Sequence, residues 1–264
     1  MMPPDQKTPD PRAIALVDID DTLFQTLRKC PADVPRDDLK LMAWGADMAP
    51  ISYATPRQQN FIAWLQAHTI FIPVTGRSSE ALQRTHLRFG DAVVGHGGGI
   101  LQTDENGGLR HCSDWAATMQ ARTAPHLAML DQLDSAVTAG AAARAIGVRG
   151  KIVEEAGQPL YLVIKHRDAD TGEDAKLHGL CRQVAEAHAL SGWTLHINGN
   201  NVAYMPPGLG KRDAAEAILP RLRAQHPHLP VIGAGDSHTD LPFMQLCDFM
   251  LTPGNSQIAG RLLA

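Results

Sequence analysis

The chain has 264 residues, a net charge of -4, 44% hydrophobic residues and 20% charged residues. That length exceeds the usual single-domain size, so two domains, or one domain with a large insertion, are expected. The acidic balance, with no polybasic face and no regular aromatic interleaving, argues against nucleic-acid binding, and the lack of any run of about 18 apolar residues argues against a membrane span.

Residues 1–11 are polar and proline-rich and read as a disordered tail. A strand follows over residues 13–17 and runs directly into Asp18-Ile19-Asp20-Asp21-Thr22. Two carboxylates, two residues apart at the end of a buried strand, repel each other and lose hydration; they point to a cation, a proton relay or both. Taken alone, the segment is also compatible with a solvated Asp-rich turn. Residues 25–57 are longer than a simple strand-to-helix connection. Their Met and Trp residues, Met42, Trp44 and Met48, are expected to pack on the core, with a flap beside the site as the alternative. The next strand, residues 70–74, leads into Thr75-Gly76-Arg77-Ser78.

Strands and helices alternate to about residue 95, as in a doubly wound parallel α/β sheet. The rhythm then changes. Residues 93–100 are a glycine-rich strand exit that lacks GxGxxG spacing and reads as a hinge. A hairpin follows, with its turn at Asn106-Gly107-Gly108. Beyond it come a long helix from about residue 113, strands near 145–153 and 160–165, a helix near 174–190, and strands at 194–197 and 202–205. The expected organisation is therefore a doubly wound core of residues 12–95 and 208–264 with an α+β insertion at 96–207. Gly210-Lys211 opens an amphipathic stretch, and a cation at a helix N-terminus is electrostatically misplaced unless an anion is near. The last diagnostic strand, residues 229–234, ends in Gly235-Asp236-Ser237-His238-Thr239-Asp240, in which His238 reads as an exposed spacer. Acids, hydroxyl, amine and acids thus occur in that order, most of them at carboxyl ends of strands, where open α/β sheets bind ligands.

These four segments, in this order, resemble the four motifs of the haloacid dehalogenase superfamily of phosphotransferases, and the resemblance spans most of the chain. It implies a Rossmann-type core and a phosphatase in which Asp18 is the nucleophile and Asp20 the general acid and base. Thr75, Gly76, Arg77 and Lys211 would bind phosphate, and Asp18, Asp236 and the Asp20 carbonyl would ligate Mg2+, with Ser237 and Asp240 supporting. Asp21 stands where many members have Gly or Asn, and Thr239 where many have Asn. The insertion between the second and third motifs looks like the large type IIB cap of sucrose-phosphate, trehalose-phosphate and mannosyl-phosphoglycerate phosphatases and of phosphomannomutase. A small phosphorylated metabolite, most simply a sugar phosphate, is the implied substrate. Arg149, Lys151, Lys165, His166, Asn198, Asn200 and Asn201 are the candidates for binding it, against the plainer readings of a hairpin turn and a solvated surface.

A phosphomutase shares the first chemical step, and a catalytically silent sugar-phosphate-binding protein is a further alternative. A phospho-accepting receiver fits poorly, because its acidic pair precedes the acceptor on an earlier strand. Cys30, Cys112, Cys181 and Cys247 have no close pair and no CxxC spacing, which suits reduced thiols in a cytoplasmic protein.

Overall fold

The computed structural model describes residues 10–167 and 174–262; residues 1–9 of the expected tail and the side chain of Asn198 lie outside the described residues. β1 (Ala13–Val17) is buried at every position, the pattern of a strand covered on both faces. A loop leads to the hairpin of β2 (Lys40–Trp44) and β3 (Pro50–Ala54). Thr55 then caps α1 (Pro56–His68). Its hydroxyl accepts from the Gln58 N–H, the Gln58 side chain accepts from the Thr55 N–H, and Pro56 presets φ in the first turn. β4 (Thr69–Pro73), the short α2 (Ser79–Gln83), β5 (Ala92–Val94), β6 (Gly99–Thr103) and β7 (Leu109–His111) follow. The chain continues through α3 (Ser113–Thr123), α4 (Leu127–Ala142), β8 (Val148–Glu155), β9 (Gln158–His166), α5 (Asp174–Ala187), β10 (Thr194–Asn198) and β11 (Asn201–Met205). It closes with α6 (Lys211–Gln225), β12 (Val231–Ala234), α7 (Leu241–Met244), β13 (Phe249–Leu251) and α8 (Gln257–Leu262).

Residues up to Cys112 and from Gly210 onward form one compact unit, and Ser113–Leu209 form another. In the first, the order β13-β12-β1-β4 is parallel throughout, and a Val74–Val93 bridge extends it towards β5. Val17 pairs with Pro73 on one side and Ala234 on the other, so the segments after β1, β4 and β12 leave the sheet side by side. The strand order reverses at β1, the place where such sheets bind ligands. Ala15, Val17, Phe71, Val94 and Ala234 share a core with Ile62 and Leu65 of α1 and with Met42 and Ala43 of the β2–β3 hairpin.

The glycine-rich exit and its hairpin, expected within the insertion, fall in the first unit, because β6 pairs with β5 and β7 with β6. Gly97 adopts φ +96°, and a Cβ there would overlap the Gly210 carbonyl, so this glycine permits close packing against the start of α6. In the second unit the order β10-β11-β9-β8 is antiparallel. Leu130, Leu133 and Val137 of α4, with Leu177, Leu180 and Val184 of α5, pack on Leu162, Ile164, Val202 and Tyr204. The single long helix expected from residue 113 is two helices; Pro125, in the turn between them, has no N–H to continue the ladder. Among the described residues, no helix is long and apolar enough to cross a membrane.

Candidate active site

Four segments far apart in sequence meet at the carboxyl end of the parallel sheet. Asp18, immediately after β1, is 5% exposed, and its N–H donates to the Ala234 carbonyl at 2.8 Å, tying it to the end of β12. Lys211, at the start of α6, donates to Asp18 Oδ1 and to Asp240 Oδ1, each at 2.6 Å. These contacts supply the anions that a lysine at a helix N-terminus requires. Asp240 is fully buried and accepts at Oδ2 from the Ser237 N–H (3.1 Å) and the Ser237 hydroxyl (2.7 Å). Gly235 is required beneath it, since a Cβ there would stand 2.5 Å from the Asp240 Cβ. His238 is exposed, as expected of a spacer.

Oxygens of Asp18, Asp236 and Asp240 all lie within 4.8 Å of one another. Burial pushes the Asp18 carboxyl up to about 8, with Lys211 pulling the other way and Asp240 adding to the rise. Burial likewise raises Asp236 to about 6, helped by the negative charges of Asp240 and Asp21. Asp240 lies below the ordinary carboxylate range: burial works against its charge, but Lys211 and Ser237 prevail. Burial also opposes the Lys211 cation, and Asp18 and Asp240 together overcome it. Two of the three clustered carboxyls are therefore short of positive charge, and an all-oxygen donor set of this kind fits a small hard divalent cation.

Thr75 is fully buried, and its hydroxyl accepts from the Arg77 N–H at 3.1 Å. That amide, expected to face phosphate, is therefore satisfied within the chain; α2 begins only at Ser79, after its Ser78 cap, and is a single short turn. The Arg77 side chain instead grips Asp20, with Nε to Oδ2 at 2.8 Å and Nη2 to Oδ1 at 2.7 Å, and Nη2 also reaches Ser52 Oγ at 3.2 Å. Burial disfavours the Arg77 cation, but the bond and charge of Asp20 hold its pKa above the ordinary value. Gly76 faces the His96 ring, which a Cβ would approach to 2.5 Å.

Three further residues of the site went unread in the sequence. Thr22 donates to Asp18 Oδ2 at 3.1 Å and lies 3.5 Å from Asp236 Oδ1. Its place four residues after Asp18 was the available signal. Ser52 and Phe24 support Arg77, whose guanidinium carbon sits 5.4 Å from the centre of the Phe24 ring. Asp21 has φ +63° and pairs with Lys29. This left-handed conformation is one that Asp, like Asn and Gly, adopts more readily than other residues.

In the second unit, Arg149, Lys165 and Asn201 are cross-strand neighbours on β8, β9 and β11. Lys165 is lowered first by burial and then by Arg149, and the Asn201 Oδ1 is a buried acceptor with no donor. His166, next to Lys165, takes the opposite face of β9 and is 3% exposed. It does not join that row. Asn200 Oδ1 accepts from the His166 N–H at 2.7 Å, the hairpin-stabilising role.

A scan against protein-family models found no match, and neither did a search of curated proteins. Among solved structures, the chain is similar to the C-terminal domain of trehalose-6-phosphate phosphatase from C. albicans, at 14% identity and TM-score 0.53, covering 89% of this chain and 73% of that one. It is similar to C-terminally truncated IMP-nucleotidase from Plasmodium falciparum, at 12% identity and TM-score 0.56, covering 96% and 70%. A third similar structure is Thermoplasma acidophilum 0175, at 14% identity and TM-score 0.50, covering 96% and 90%. At these identities the likeness carries the fold.

Proposed function

We propose that this chain, which has the haloacid dehalogenase-like fold, is a Mg2+-dependent phosphomonoester hydrolase of small phosphorylated metabolites, most simply sugar phosphates. The observation that carries this reading is the buried cluster of Asp18, Asp236 and Asp240 with Lys211 seated between two of its members. Asp18 attacks phosphorus, the ester P–O bond breaks, and Asp20 gives its proton to the departing alkoxide. Water then attacks the aspartyl-phosphate, Asp20 takes up the water's proton, and the bond between phosphorus and the Asp18 carboxylate breaks to release phosphate. Lys211 and Thr75 hold the non-bridging oxygens. Asp18, Asp236 and the Asp20 carbonyl would hold Mg2+, which neutralises charge between the carboxylate and the phosphate. A reducing, cytoplasmic setting suits the four free cysteines. The deciding experiment is phosphate release from p-nitrophenyl phosphate, expected with Mg2+, lost in EDTA and restored by excess Mg2+; release that ignores EDTA would sink the metal-dependent reading.

The raised carboxyls fix the sign of a pH effect. Asp18 and Asp236 hold protons more tightly folded than unfolded, so the metal-free fold loses stability as pH rises from 3.8 towards about 8. A divalent cation competes with those protons. Mg2+ affinity, measured by titration calorimetry, is therefore expected to rise between pH 6 and pH 8, by up to about tenfold per pH unit for each proton displaced, and to level off above it. A flat profile would contradict the ligand assignment.

For selectivity we assign the row Arg149, Lys165 and Asn201, whose cations and unpaired acceptor suit an anionic, hydroxyl-rich substrate. Lys165→Met is expected to raise KM for the best substrate of a phosphorylated-metabolite screen about tenfold, the loss of one charge-assisted hydrogen bond. A fall in kcat with unchanged KM would remove Lys165 from the binding role.

A further inference from the structure

We propose that Arg77 is the positioning residue for Asp20, held for that purpose by Ser52 of the β2–β3 hairpin; the inference rests on the hydrolysis proposed above. Asp20 lies in the loop after β1 with its side chain 47% exposed, so nothing in its own packing fixes the carboxylate. A proton donor and acceptor must nevertheless stand within hydrogen-bond reach of both the leaving oxygen and the attacking water. The planar fork of Arg77 provides the restraint: two parallel bonds to the two carboxylate oxygens fix its direction as a single cation could not. Each oxygen keeps a lone pair free for the proton transfers.

The fork is itself built in. The Arg77 side chain is 12% exposed, rests on Phe24, and also donates to Ser52, which is 2% exposed. Ser52 pairs with Ala43 across the hairpin, and the hairpin docks on the loop that carries Asp20 through reciprocal Gln25–Tyr53 backbone bonds of 3.0 and 2.7 Å. Loop, arginine and hairpin thus close a ring around one carboxylate. This gives residues 25–57 a task beyond covering the core. The other cation of the site, Lys211, is engaged by Asp18 and Asp240.

The test compares wild type with Arg77→Ala, Arg77→Lys and Ser52→Ala on two substrates. With 2,4-dinitrophenyl phosphate the leaving group needs no proton, whereas with glycerol 2-phosphate it does. For Arg77→Ala the expected kcat loss on glycerol phosphate is about a hundredfold, the low end of general acid–base effects, with KM within about threefold. On the dinitrophenyl ester the burst of phenolate should persist while the steady state falls, because only the second step then needs Asp20. Arg77→Lys should recover under a tenth of the lost rate, and Ser52→Ala should show the same pattern at about a fivefold loss. If Arg77→Ala is not folded by circular dichroism, the other two variants decide. Burst and steady state falling together with a rise in KM, or no change, would overturn the positioning role alone. A wild type without turnover on either ester would overturn the hydrolysis and the positioning role with it.

Discussion

Asp18→Asn is expected to lower kcat by at least about ten-thousandfold, the cost of removing the proposed nucleophile, which the remaining groups cannot replace. The same substitution should leave the fold at least as stable. Asn is isosteric and neutral, whereas burial raises the native carboxyl to about 8, so in the metal-free protein its charged form is the disfavoured one. Above pH 8 the variant is therefore expected to melt at or above the wild-type temperature in EDTA. Phosphate release and thermal melts on the same samples check both halves. Turnover above about a thousandth of wild type would reject Asp18 as the nucleophile, and an unfolded variant would show that its charge is structural.

Lys211→Met is expected to lose both activity and stability. The side chain is 9% exposed and bonded to carboxylates that are 7% and 1% exposed, so its removal leaves two buried acids without their cation. Breaking a buried pair in this way costs about 3–5 kcal/mol. The cost should be somewhat smaller at pH 6 than at pH 8, because wild-type Asp18 is then protonated and draws less stabilisation from Lys211, whereas without the lysine it keeps its proton at both pH values. Urea denaturation at the two pH values measures the difference; equal losses would mean that Asp18 is not the carboxyl that titrates. Added Mg2+ should restore part of the stability but not the activity, since the charge proposed to bind phosphate is still missing.

Asp18, Thr75, Asp236 and Asp240 were legible because a charged or hydroxyl residue at or just beyond the end of an apolar run stands out and strand ends converge by topology, and Lys211 because a cation at a helix start calls for an anion. The partners of Arg77 were not. Ser52 and Asp20 lie 25 and 57 positions away from it, and no periodicity within one segment reports which side chain an arginine will reach. The sequence assigned the Arg77 amide to phosphate, while Thr75 takes that N–H and the guanidinium does the work of contact. His166 was legible and misread. Alternation along β9 already separates it from Lys165, since Leu162 and Ile164 share its face in the apolar core. Pro125 likewise marked the break between α3 and α4.

The contact between Gly97 and Gly210 bears on how such a chain diversifies. Gly210 is the first residue of the returning polypeptide, and its carbonyl is fixed by a backbone that admits no side chain there. The seat of Lys211 is thereby set from within the first unit. Substitutions within the inserted unit are thus expected to leave the Lys211 amine in register with Asp18 and Asp240.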